Sequence, residues 1–125
     1  MTKEQMVGLM SRLHAEEKKA RGAGQQEYAQ DDSNAFANFE RVASATDTTR
    51  EVVLLVYLLK HIDGISAYVK GHRSQREPIR GRITDARVYL ALLAGMVEED
   101  EDVFQGEVNE NEIRLGMPGN KSTQE

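Results

Sequence analysis

The chain has 125 residues and a formal charge of −5, with no cysteine. Such a length suits one domain with its own core. The missing thiols exclude disulfides and thiolate metal sites and fit a reducing compartment. From position 98 onward nine acidic side chains face only Arg114 and Lys121, so residues 1–97 are slightly basic, with six cations from Lys70 to Arg87. This asymmetry gives the body an attraction for anions and leaves the acidic end solvated. The N-terminus is charged from its outset, without the apolar centre of a secretory signal, and no apolar run is read as long enough for a membrane span. The expectation is a cytoplasmic protein with no membrane partner.

In chain order, Met6, Leu9, Met10 and Leu13 recur at helical spacing and predict a first helix over 3–20, ended by the glycines of "RGAGQQ". A short helix follows in "EYAQDDSNAFANFERVASA", with Asp32, Ser33 or Asn34 as N-cap and Phe36, Phe39 and Ala43 on one side. Thr48 and Glu51 fit a capping box that opens "VVLLVYLLKHIDGISAYV". This run is apolar on every face from Val52 to Leu59, and its length favours a central bundle helix over a strand. Gly71 closes it, and Pro78 opens a final helix running to about Glu98. Beyond Asp102, acids, Gly and Asn prevail, and "EVNENEIRLGM" is read as a short arm or hairpin. The expected architecture is all-α: a bundle of about four helices over 1–102, oligomeric, with an acidic, partly flexible and irregular arm over 103–125.

Four constellations carry chemistry. Asn34 and Asn38 are four apart, beside two phenylalanines, and their amides can pair with a base edge or a sugar hydroxyl; a helix cap plus an exposed Asn is the plainer alternative. Lys60, His61 and Asp63 interrupt the apolar helix, so either the helix emerges into solvent there or they line a polar pocket. In "KGHRSQREPIRGR", Arg73, Arg76 and Arg80 offer guanidinium forks that fit phosphate, next to the helix amides that follow Pro78; a solvated loop is the alternative. Arg82, Asp85 and Tyr89 share one side of the last helix at i, i+3, i+7, offset from its apolar stripe, with an Arg82–Asp85 surface pair as the ordinary reading. No Walker pattern is present and aromatic residues are few, which weakens a nucleic-acid reading.

As an ordered set, "EYAQDDSNAFANFERVA", "VYLLKHIDGI" and "EPIRGRITDARVYLALLAGMV" resemble small bacteriophage proteins of the MazG-like, all-alpha nucleotide pyrophosphatase type, including the phage nucleotide modification associated domain. The resemblance spans roughly residues 25–98. It implies a helical bundle assembled as dimers or tetramers, with nucleotide sites between helices and often between subunits. It also implies Mg2+ held by a Glu-x-x-Glu pair and a later Glu-x-x-Asp pair. Asp85 stands where the last Asp would be, but Arg82 stands where its Glu partner would be, and residues 25–98 contain no Glu-x-x-Glu pair.

Three readings follow. In the first, the chain binds a nucleotide or nucleotide-derived signal in an intersubunit pocket without turnover, as an anti-defence sponge. Arg73, Arg76, Arg80 and Arg82 would then hold phosphate, with Asn34, Asn38, Phe39, Lys60, His61 and Tyr89 completing the site. In the second, it is a Mg2+-dependent nucleoside triphosphate pyrophosphohydrolase with Asp85 and Glu77 catalytic and Asp85, Glu77 and Asp63 on the metal. In the third, it is a helical interaction module without a ligand.

Overall fold

The computed structural model describes residues 1–29, 32–74 and 76–114. Among the described residues the chain is all-helical, with four α-helices, one π-helical turn and no strand. α1 spans Lys3–Gly24, α2 Ala37–Thr46, α3 Arg50–Val69 and α4 Ile79–Arg114, and the π-turn Gln25–Ala29 follows α1 directly. Two compact units divide the chain, Met1–Leu93 and Ala94–Glu125.

α1 begins at a reciprocal capping box. Gln5 N–H donates to Thr2 Oγ1 at 3.1 Å, and Thr2 N–H donates to Gln5 Oε1 at 2.8 Å. The helix passes through Gly22 rather than stopping there, because glycine permits a turn without requiring one. The Gln25 amide continues the ladder back to Arg21 and Gly22, and the Arg21 guanidinium holds the next segment by donating to Gln25 Oε1 and to the Ala35 carbonyl. No residue of α1 is buried. Ion pairs hold it instead: Arg80 reaches Glu16 at 3.2 Å, Thr84 Oγ1 donates to the same carboxylate, and Arg87 reaches Glu17 at 3.2 Å.

α2 buries Phe39 and Ala43, with Phe36 buried just ahead of it. Asn34 shapes its entry: Oδ1 accepts from the Phe36 amide at 2.9 Å, and the side-chain amide donates to Glu40. The helix ends at Asp47 in the left-handed region, φ 55°, a conformation Asp tolerates better than most residues. Arg50 then clamps α2 to α3. It pairs with Glu40 at 3.2 Å and lies 4.9 Å over the Phe36 ring.

The N-cap of α3 is Thr49, whose Oγ1 accepts from Val52 N–H, one residue later than the Thr48 box expected from the sequence. Within α3 only Val53, Leu54, Leu58 and His61 are buried. The apolar run is not covered on every face within the chain: Val52, Leu55, Val56, Leu59 and Ile62 are 40–61% exposed. α3 is also long and apolar enough, by length and composition alone, to cross a membrane, contrary to the sequence expectation. Its C-terminus turns at Gly71, φ 105°, where the Gly71 and His72 amides donate to the Tyr68 and Ala67 carbonyls.

α4 starts just after Pro78, whose carbonyl accepts from Arg82 N–H. The expected end near Glu98 is corrected, since the helix runs on to Arg114. Glu and Gln are good helix formers, and the lone Gly106 raises the local cost by only about 1 kcal/mol, so the helix has no reason to stop. The irregular arm expected over 103–125 thus gives way to helix over 103–114; residues 115–125 lie outside the described residues.

Candidate functional site

Three helices bring aromatic rings together in the first unit. α2 supplies Phe39, α3 supplies Tyr57 and His61 one turn apart, and α4 supplies Tyr89. Phe39 meets Tyr57 and Tyr89 edge-on at 6.0 and 6.2 Å between centroids, and Tyr57 stacks with Tyr89 at 6.3 Å. His61 lies 5.5 Å from Tyr89. Such separations are favourable for offset and edge-to-face aromatic pairs. Phe39 and His61 are buried, while Tyr57 keeps one side open, so the cluster forms a wall as well as a core.

This wall faces a cleft of 490 Å³. Its rim carries three cations, Arg21 and Arg41 from the first half of the chain and Lys60 from α3. Two carboxylates, Glu77 and Asp85, stand on the α4 side, and Asn38 adds a neutral amide. Burial lowers the Arg21 guanidinium pKa from its ordinary value. Burial, and then the Asp85 carboxylate, raise the Tyr89 phenol above its usual range, which keeps it a neutral donor.

His61, Glu77 and Asp85 converge in this cleft, with one potential ligand atom of each within 4.8 Å of the others. His61 Nε2 lies 3.9 Å from Asp85 Oδ2, beyond hydrogen-bond reach, and Nδ1 is buried with no hydrogen-bond partner. The local reason for the convergence is sequence spacing around Pro78. Glu77 precedes α4, Asp85 sits in its second turn, and His61 is on the buried side of the neighbouring helix.

The sequence-derived candidates divide into two groups. Asn38, Phe39, Lys60, His61, Glu77, Asp85 and Tyr89 all line the cleft. The remaining candidates do not. Asn34 is spent on the α2 entry turn, and Arg80 is paired with Glu16. Arg73 packs 4.0 Å from the Tyr68 ring, and Arg76 is exposed away from the cleft lining. Asp63 is exposed and stands outside the His61–Glu77–Asp85 group. Arg82, although three residues before Asp85, lies against Gly64 of α3, where an added Cβ would collide with its guanidinium. Sharing a helix side with Asp85 and Tyr89 did not place it in the cleft.

Sequence reasoning did not single out Arg21, Arg41, Tyr28 or Tyr57, all of which line the cleft. Tyr57 had one usable signal, its position four residues before His61, which puts both on one side of α3. Arg41 had a similar one, three residues after Asn38 on α2, whereas Arg21 is distant in sequence from the singled-out cleft residues and carries no comparable local signal. Comparison with protein-family models, with curated proteins and with solved structures finds no match. What fold and site define is an all-helical protein with an aromatic-walled, charged cleft.

Proposed function

We propose that this chain binds a phosphorylated nucleotide or a nucleotide-derived signal in the cleft. The observation that carries this reading is the joining of an aromatic wall, Tyr57, Phe39 and Tyr89, to three rim cations in one cleft of 490 Å³. That volume is of the size small molecules occupy, about 300–1,000 Å³. Aromatic faces accept a base by stacking, guanidinium forks accept phosphate oxygens, and Asn38 can donate to and accept from a base edge or ribose. The phosphate role moves from the arginines of the 73–82 segment to Arg21, Arg41 and Lys60. The resemblance of residues 25–98 to bacteriophage MazG-like proteins supports the same ligand class.

Retention without hydrolysis would make the protein a sponge for a nucleotide signal, acting in the cytoplasm of the host. The exposed stripe Val52, Leu55, Val56, Leu59 and Ile62 supports assembly into a homo-oligomer through α3. The test is incubation of the purified chain with pooled nucleoside triphosphates and cyclic and ADP-ribose-derived nucleotides, followed by mass spectrometry of bound and free fractions. An intact nucleotide released only by denaturation is the expected result, and Arg41→Ala and Lys60→Ala should weaken its retention. Pyrophosphate and monophosphate in the free fraction would identify a hydrolase instead, with Asp85 and Glu77 as its carboxylates. No retained or altered nucleotide would leave the helical interaction module.

A further inference from the structure

We propose that His61, Glu77 and Asp85 form a site for a divalent first-row transition-metal ion of the Mn2+, Co2+ or Zn2+ kind. The proposal takes its location from the nucleotide-binding cleft but does not depend on a nucleotide being bound.

Geometry gives the first argument. Donors held at about 2.1 Å from one ion lie no more than about 4.2 Å apart. His61 Nε2 and Asp85 Oδ2, at 3.9 Å, already satisfy that limit. The three donor atoms fall within 4.8 Å, so side-chain rotations of under about 1 Å close the set. Glu77, in the turn before α4, and Asp85, with a side chain 46% exposed, both have room to make that adjustment.

The second argument is the state of His61. Its residue is only 8% exposed, Nε2 points at a carboxylate without hydrogen-bonding to it, and Nδ1 is buried without a partner. Nε2, which faces Asp85, has no hydrogen bond to give up, so its lone pair is free for a cation. Coordination through Nε2 gives that nitrogen a partner and leaves the ring proton on Nδ1. A cation also relieves the repulsion between two carboxylates brought to one spot.

The donor set then selects the ion. One imidazole nitrogen with two carboxylate oxygens favours Mn2+, Co2+ or Zn2+, whereas Mg2+ and Ca2+ prefer oxygen alone. Three protein ligands leave further positions for water or a phosphate oxygen, and Lys60 in the same cleft lining adds a positive charge for phosphate.

The test uses the full chain stripped with a chelator and titrated, in the absence of nucleotide, with Co2+, Zn2+, Mn2+ and Mg2+ by calorimetry and, for Co2+, by visible absorption. One equivalent of Co2+ or Zn2+ should bind at least about tenfold more tightly than Mg2+. His61→Gln, Glu77→Gln and Asp85→Asn should each lower that affinity about tenfold or more while the helical circular dichroism is kept. Asp63→Asn, an exposed neighbour outside the group, should bind as the parent does. Failure to bind Co2+ or Zn2+ below millimolar concentration would overturn the proposal, as would affinity unchanged in Asp85→Asn, which leaves the buried imidazole in place. Nucleotide retention measured in the presence of chelator tests the cleft reading separately, so either can fail while the other stands.

Discussion

Tyr89 shows how one side chain serves packing and site at once. Its ring closes the aromatic wall, and burial together with Asp85 raises its pKa above 10.0. Below pH 10 both folded and unfolded tyrosine are protonated and the full stability is present. As pH climbs past 10 the unfolded chain ionises first, so stability falls until the folded phenol also titrates. The slope is at most about 1.4 kcal/mol per pH unit, and solvent screening of the partly exposed ring reduces it. Denaturant unfolding between pH 9 and pH 11 should show this loss in the parent and a smaller one in Tyr89→Phe. Gly64 offers a second residue-scale test, because its missing Cβ is the space Arg82 fills. Gly64→Ala should gain up to about 1 kcal/mol of helix propensity and lose part of it in displacing the flexible Arg82 guanidinium, and Arg82→Ala in the same chain should restore the full gain. Additive effects of the two substitutions in thermal unfolding would contradict this packing account.

Among the elements, α1 and α3 are held in opposite ways. α3 is anchored by fully buried Leu54 and by Leu58, whereas α1 has no buried residue and is fastened by Glu16–Arg80, Glu17–Arg87 and the Arg21 contacts. Leu54→Ala should therefore cost about 2–5 kcal/mol by chemical denaturation. Exposed ion pairs are weak and screened by salt. Amide exchange should accordingly be faster across α1 than across α3, and the difference should widen in 1 M salt. Equal protection of the two helices would show that α1 has stronger anchorage than its ion pairs supply.

For the whole molecule, the exposed stripe of α3 is the feature that the single chain leaves unexplained. Leu55, Val56 and Leu59 are each nearly half exposed or more, an unusual cost for large apolar side chains on one helix face. Sedimentation of the parent should show an oligomer. Leu59→Glu, at a position already 49% exposed, should shift it toward monomer without loss of helical circular dichroism. A monomeric parent at micromolar concentration would remove the self-association part of the functional proposal.

Local chemistry made much of the fold legible. The 3.6-residue apolar period, Gly71 and Pro78 fix a helical chain and place α3 and the start of α4 to within a residue or two, because these signals act over one turn of backbone. Local chemistry also brought forward seven of the cleft residues, among them the ionisable pair Lys60 and His61 that interrupts an apolar run. It did not tell which arginines belong with them. Arg82 and Arg21 differ in destination: Gly64 leaves a slot for one, while the other, on α1, donates to the Ala35 carbonyl and lines the cleft. The grouping of His61 with Glu77 and Asp85, and the choice of which apolar face of α3 is buried, likewise depend on helices meeting across long sequence separations. Those encounters are decided by packing, which no short-range pattern in the sequence encodes.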